Sequence, residues 1–320
     1  MKRVAILGAS SQIARDLIRS FARQGRTHAL LYVRDVAATR RWLADHFIHY
    51  PVAPYEEYGR EPHEAVLNFV GVGDPQRAAQ MGGAIFGVTQ QFDDLALEQL
   101  RRHPERRYIF LSSGAAYGST FLQPAGPDTH ADITINALTP QEYYSVAKLH
   151  AECKHRAHPE LAITDLRVFN YFSHTQNLDA RFFITDVLRA VRDGTVLQTS
   201  PGTMVRDYLH PEDFHQLVEC VLRAPPANHA IDCYSAAPID KLALLAAMER
   251  HHGLRYEVAG AGAGAGAGAA NGAAIVNATG AKPHYYSLNR QAAELGYQPA
   301  YTSLDGILAE SAIIVSGTAT

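Results

Sequence analysis

The sequence predicts an α/β protein built on a doubly wound parallel sheet, and three observations carry that prediction. Through the first half, short aliphatic or β-branched runs alternate with longer amphipathic stretches. Several of the short runs are apolar at consecutive positions, as strands buried on both faces should be. The stretches between them repeat apolar residues at helical spacing. Strands are expected over residues 3–7, 28–33, 65–70, 107–111 and 164–169. Ile13, Leu17 and Phe21 share one face of a first helix, and Leu95, Leu97 and Leu100 belong to another that ends before Pro104. After about residue 170 the regularity loosens. Helices are expected over 211–222, where Pro211 suits a first helical position through its fixed φ and missing donor, and over 240–250. Residues 259–270 are nearly pure Gly-Ala alternation, which buries little side chain, so a mobile surface loop without chemistry is expected.

Composition sets the outer limits. A length of 320 residues corresponds to roughly two domains. With 47% hydrophobic and 19% charged residues, the chain can bury a large core, which excludes disorder of the whole. Twenty-nine Lys and Arg against 32 Asp and Glu leave a net charge of −3, too balanced for the basic face that nucleic acid or an anionic membrane requires. Met1-Lys2-Arg3 imitates the start of a signal peptide, but only Val4 to Leu7 follow before Gly8, where about 7–15 apolar residues are needed. No run approaches the ~18 apolar residues of a membrane span. Cys153, Cys220 and Cys233 are odd in number and form no C-x-x-C, so reduced thiols in the cytoplasm are expected.

Chemistry concentrates at four places. Val4 through Ala14 spell a strand, a small-residue turn and a helix start, the geometry in which main-chain N–H groups and a positive helix end meet a pyrophosphate. Gly8, Ser11 and Ala14 keep the spacing of a G-x-x-G-x-x-G loop with two glycines replaced, so Ser11 has to tolerate the backbone angle a glycine would have supplied. After the second strand, Arg34 favours the 2′-phosphate of NADP, and Asp35 favours the 2′-hydroxyl of NAD. Ser112-Ser113-Gly114 ends a strand, and Tyr144-Ser145-Val146-Ala147-Lys148 opens a helix. A free phenol with a pKa of about 10 is a poor base at neutral pH. The four-residue spacing puts Lys148 on the same helix face as Tyr144, where its ammonium would lower that pKa; Tyr143 lacks such a partner.

Taken together, these motifs resemble the extended short-chain dehydrogenase/reductase superfamily, in its NAD-dependent epimerase/dehydratase branch acting on nucleotide sugars. The run Ile109 through Gly118, Pro140 through Lys148, Leu166-Arg167-Val168-Phe169-Asn170, Arg206 through Asp213, and Leu295 through Pro299 followed by Ser303 through Ile307 carry the resemblance. It implies a Rossmann domain over residues 1–170 plus about 207–236, and a smaller, mostly C-terminal α/β substrate lobe over 171–206 and 237–320. It implies that Ser113 bonds the reacting oxygen, Tyr144 is the acid/base, and Lys148 holds the nicotinamide ribose. It places Gly8, Ser10, Ser11, Gln12, Ile13, Arg34, Asn68, Val70 and Gly71 at the cofactor, and Asn170 and Arg206 at the substrate, the latter on its diphosphate. It further implies a homodimer, with the stretch 140–157 supplying an interface helix.

Departures from the family pattern narrow the chemistry. Gly114-Ala115 stand where 4,6-dehydratases carry Asp-Glu, so water elimination has no agent. Phe69 is bulkier than the usual residue and is expected to reshape the cofactor pocket. The segment 119–139 is long and is expected over the active site, setting substrate choice, and Phe172-Ser173 replace the usual Tyr-Gly. Sixteen histidines form no H-E-x-x-H, and His150-Ala151-Glu152 lacks a following P-C-x-x-C, so no metal is expected. The function expected first is a 4-keto reductase of a nucleotide sugar using NADP, since Arg34 suits an exchanging NADPH. The alternative is a 4-epimerase retaining NAD, and a third is a dinucleotide sensor without turnover.

Overall fold

The computed structural model describes residues 2–73, 75–259 and 282–317, so the Gly-Ala run from residue 260 onward lies outside the described residues. The first half of the chain runs β1 (Lys2–Leu7), α1 (Gln12–Gln24), β2 (Thr27–Tyr32), α2 (Val36–Asp45), β3 (Val52–Ala53), β4 (Ala65–Asn68), α3 (Pro75–Met81), α4 (Ala84–Arg102), β5 (Arg107–Ser113), α5 (Pro140–Arg156) and β6 (Ala162–Val168). Shorter elements follow: β7 (Asn170–Tyr171), α6 (Phe183–Asp193), β8 (Val196–Thr199), β9 (Val205–Arg206), β10 (Tyr208–Leu209), α7 (Pro211–Arg223) and β11 (His229–Asp232). The last are β12 (Ile239–Asp240), α8 (Lys241–His252), β13 (Arg255–Val258), β14 (His284–Tyr285) and α9 (Ser303–Val315).

Seven strands form one parallel sheet in the order β3-β2-β1-β4-β5-β6-β11. Val4, Ala5, Ile6 and Leu7 are all buried, which is why β1 carries an unbroken apolar run. On one face, Leu17, Ile18 and Phe21 of α1 pack with Phe214, Leu217 and Val218 of α7; on the other, Leu97 and Leu100 of α4 and Ala151 of α5 cover Tyr108 and Phe110. The chain leaves β1 toward β2 and later returns to its other side as β4. That reversal opens a crevice at the carboxyl ends of β1 and β4, the place where open α/β sheets bind ligands. Each predicted strand is present within three residues of its expected ends; the two-residue edge strand β3 and the charged helix α2 were not foreseen.

The remaining elements form a second lobe. Val187 and Leu188 of α6, Leu244, Leu245 and Met248 of α8, and Ile307 of α9 are its core. Three small sheets edge it, β12-β9-β14, β13-β8 and β10-β7. After β14 the chain returns to the large sheet: Ala292 and Tyr297 join its core, and the Tyr297 hydroxyl donates to the Tyr234 carbonyl at 2.6 Å.

Candidate active site

β5 ends at Ser113, whose Oγ accepts the Ala115 N–H at 3.1 Å and so caps the tight turn Gly114–Tyr117. Across from it, α5 starts at a capping box in which the Glu142 carboxylate accepts the Thr139 N–H at 2.8 Å, with Pro140 at the first position. That start sets the register in which Tyr144 and Lys148 face β5. The Tyr144 hydroxyl lies close enough to the Ser113 side chain for Ser113 to favour its phenolate. The Lys148 ammonium donates to the Leu111 carbonyl at 2.6 Å and lies 4.3 Å from the Phe110 ring centroid and 5.8 Å from that of Tyr144. Tyr143 packs on Phe86 instead. The three residues expected together are together. Their electrostatics differ from expectation, however: burial pushes the Tyr144 phenol up, with only Ser113 opposing it. Burial also pushes Lys148 down to about 8 against the fields of Glu152, Asp93 and Asp165. The ammonium is engaged by a carbonyl, and burial of the ring outweighs it.

At the crevice, Gly8 takes a left-handed φ of +76°, and a Cβ there would lie 2.8 Å from the Phe69 carbonyl carbon and the Val70 nitrogen. Only glycine fits that turn. Ser11, in contrast, is extended at φ −71°, and its hydroxyl accepts the Ala14 N–H as the cap of α1. The replaced glycine therefore imposes no strain, contrary to the expectation that Ser11 must absorb one. Ser10, Arg34 and Gly71 lie exposed along the rim. Gly71 would bring a Cβ within 3.6 Å of the Lys148 ammonium, so the rim and Lys148 adjoin. Gln12 is tied to Ser173 at 3.0 Å and Gln176 at 3.2 Å, and Ile13 packs on the sheet core. Asn68 is buried behind the rim, donating to the Tyr108 hydroxyl and accepting the Val70 N–H, both at 2.9 Å. Phe69 points inward to Phe214, so its bulk is absorbed by the core and does not reshape the pocket. Asp35 caps α2 by accepting the Ala38 N–H at 2.8 Å. The rim fits a dinucleotide: a left-handed glycine turn and a helix start face the crevice, and the lysine closes one end. Tyr55, which sequence reasoning missed, has its phenol raised by burial, with Arg34 and the Gly8 main chain near enough to oppose the shift.

On the substrate side, Asn170 donates to the Asp207 carbonyl at 3.1 Å. Arg206 is 3% exposed and donates to the carbonyls of Val205 at 2.9 Å and Lys282 at 2.7 Å. Lys282 and Tyr285 were also missed. The Tyr285 hydroxyl lies 3.1 Å from Ser113 Oγ, and its ring packs on Phe121 and Phe169. Phe121, of the long segment 119–139, packs with Phe169 and Tyr285. Gly114 has no room for a side chain, since a Cβ would sit 2.4 Å from the Phe169 ring. Behind the site, Ser112 and Arg167 hold Glu152, Arg167 reaches the Tyr117 hydroxyl at 2.6 Å, and Tyr117 and Ser287 both donate to Asp232. Among the described residues no group of three or more His, Cys, Asp or Glu is placed to hold a metal, and no helix is long and apolar enough to cross a membrane.

The family model described as "NAD dependent epimerase/dehydratase family" matches residues 4–235. Among solved structures, UDP-glucose 4-epimerase from Thermotoga maritima, with UDP-glucose, superposes with a TM-score of 0.77 at 14% identity, covering 99% of this chain and 100% of that one. UDP-glucuronic acid 4-epimerase from Bacillus cereus, in complex with NAD, gives 0.73 at 15% identity, with 99% and 100% covered. A UDP-glucose-4-epimerase from Stenotrophomonas maltophila, with bound NAD and formylated UDP-arabinopyranose, gives 0.75 at 16%, with 99% of each chain covered. No curated protein matches by sequence. The fold is thus shared with those epimerases, and the chain, through a match over more than two thirds of its length, belongs to the NAD-dependent epimerase/dehydratase family.

Proposed function

We propose that the protein is a nucleotide-sugar 4-epimerase that works with a retained NAD. The observation that carries the reading is the meeting of Ser113, Tyr144 and Lys148 beside a dinucleotide crevice. The nicotinamide, when bound, would take up the C4 hydride and return it. Tyr144 removes the proton of the C4 hydroxyl as that carbon is oxidised, and returns it after the 4-keto sugar has presented its other face. Ser113 holds the oxygen throughout. Lys148 would hold the nicotinamide ribose, and its ammonium, 5.8 Å from the Tyr144 ring centroid, favours the phenolate that burial otherwise disfavours.

A nucleotide diphosphate suits the second lobe. Arg206 is buried with the half-buried Lys282 beside it, and their bonds run to main-chain carbonyls. Burial, then Arg206, pushes Lys282 down to about 8. Two neighbouring, largely desolvated cations gain from an anion between them. The named epimerases of the same fold add support to this reading over the NADP-dependent reductase. The reductase stays as a second reading on one observation: Arg34 is exposed at the end of β2 while the Asp35 carboxylate caps a helix. The reading includes a homodimer through α5, which sedimentation would report at twice 35.0 kDa.

The test is to identify the cofactor released on denaturing the purified protein, and to follow UDP-hexoses by NMR with nothing added. NAD in the preparation and interconversion at C4 are expected. A protein that arrives without dinucleotide, and reduces 4-keto nucleotide sugars only with added NADPH, would refute the epimerase and establish the reductase.

A further inference from the structure

Tyr285 stands in the site with the attributes of a working residue. It is 4% exposed and held from several sides: ring contacts to Phe121 at 4.8 Å and Phe169 at 5.2 Å, and the Lys282 ammonium 4.4 Å from its centroid. Its main chain is equally fastened. β14 pairs with β9, the His284 N–H donates to the Phe121 carbonyl at 3.0 Å, and two residues on the Ser287 hydroxyl donates to Asp232 at 2.6 Å. A phenol in such a cage cannot swing aside without breaking packing on every side.

Its hydroxyl completes the Ser113 bonding set. A serine hydroxyl has one hydrogen and two lone pairs. Here Ser113 Oγ accepts the Ala115 N–H at 3.1 Å and lies 3.1 Å from the Tyr285 hydroxyl, with one hydrogen of its own to give. An oxygen that enters beside Ser113 accepts that hydrogen. Tyr285 then keeps its own hydrogen, and its fixed ring leaves that hydrogen beside the entering oxygen.

We infer that Tyr285 is a third hydroxyl of the catalytic site, donating to the reacting oxygen together with Ser113 and Tyr144. The inference rests on the hydride chemistry proposed above. When a 4-keto sugar is reduced, hydride from the nicotinamide adds to the carbonyl carbon, and the electron pair of the C=O moves to oxygen. Tyr144 then delivers the proton that makes the alcohol, and Tyr285 keeps its own. A ketone oxygen offers two lone pairs, and the alkoxide forming from it offers three. The third donor therefore binds most strongly as charge develops, which accelerates the step without tightening substrate binding. Burial pushes the Tyr285 phenol up, so it stays protonated as a donor across the working pH range.

The test is Tyr285→Phe, which keeps the ring and its cage. The kcat for C4 interconversion is expected to fall about 10- to 100-fold in both directions. KM, the Kd for UDP alone and the pH profile set by Tyr144 are expected to stay within about twofold of wild type. A kcat within twofold of wild type overturns the inference. So does a fall in KM with kcat preserved, which would make Tyr285 only a competitor for Ser113, or a loss of UDP binding, which would make it structural. If Tyr285→Phe does not fold, Tyr285→Gln, which retains a donor, must exceed Tyr285→Leu in kcat; equal rates overturn the inference. A wild type inert toward every UDP-sugar brings down the epimerase reading and this inference with it, whereas an active wild type with an unaffected Tyr285→Phe removes this inference alone.

Discussion

Replacing Lys148 with methionine separates what the lysine does for chemistry from what it does to stability. Its ammonium is 4% exposed, and burial pushes it from the ordinary 10.5 down to about 8. That difference corresponds to about 3 kcal/mol by which folding disfavours the charged lysine. Below pH 8 both folded and unfolded chains carry the proton, so the whole penalty is present. Between pH 8 and 10.5 the unfolded chain binds more protons than the folded one, stability rises with pH, and the penalty disappears. Methionine is of similar size and carries no charge, so it escapes the penalty, but it leaves the Leu111 carbonyl without the donor now at 2.6 Å, a cost of about 1 kcal/mol. Lys148→Met is therefore expected to be more stable than wild type by about 2 kcal/mol at pH 7. The advantage should shrink above pH 8, vanish near pH 10 and give way to a small deficit at 10.5, while turnover falls by at least about 100-fold. Urea unfolding of both proteins at pH 7, 9 and 10.5 measures the difference, from which other titrating groups cancel. A variant less stable than wild type at pH 7, or a gap indifferent to pH, would refute the argument that burial of this charge dominates.

Two further predictions concern groups around the site. His155 is fully buried, its Nε2 2.7 Å from Asp93 and its Nδ1 2.6 Å from Asp165. Burial lowers its pKa, but the two carboxylates outweigh burial and raise it to about 9. Its folded value lies above the unfolded one, so its contribution is complete below about pH 6.5 and is lost as pH rises through about 9. His155→Gln is expected to cost about 3 kcal/mol in urea unfolding at pH 6, with the gap narrowing above pH 9; a constant gap would contradict a charged histidine. Gly114→Asp, which restores the first carboxylate of the dehydratase pattern, meets the Phe169 ring at 2.4 Å from its Cβ. It should cost about 1–3 kcal/mol and yield no elimination product, with Phe169→Ala recovering part of the loss; a stable variant that dehydrates substrate would show that space was not the obstacle.

What could be read from the sequence is what depends on residues close in the chain. Tyr144 and Lys148 are one helical turn apart, and Ser113 ends a strand whose apolar run is unmistakable, so register alone brought them forward. The glycine loop was legible in the same way, because Gly8 answers to a backbone angle. Phe69 was misjudged because a motif gives the residue without its direction: neighbours in a strand face opposite ways, and at this strand end it is Phe69 that turns toward Phe214. The sign of the Tyr144 shift was misjudged for a related reason. Spacing supplies the cation but not the burial, and the two oppose each other.

The residues that stayed hidden are those joined across the chain. Ser113 and Tyr285 are 172 positions apart, Arg206 and Lys282 76, and Ser287 and Asp232 55. They meet because two-residue strands, β9 and β14, lie side by side, and two residues hold no periodicity from which pairing could be inferred. The division follows function. Proton and hydride transfer need groups fixed to within fractions of an ångström, which a strand end and one helix supply locally. On the function proposed above, the choice of what sits between them falls to the second lobe, through contacts that only the folded chain creates. If that is so, exchanging 282–287 between members of this family should move substrate preference while the Tyr144-dependent limb of the pH profile stays in place. A shift of that limb with the exchanged segment would mean that the two functions are not divided in this way.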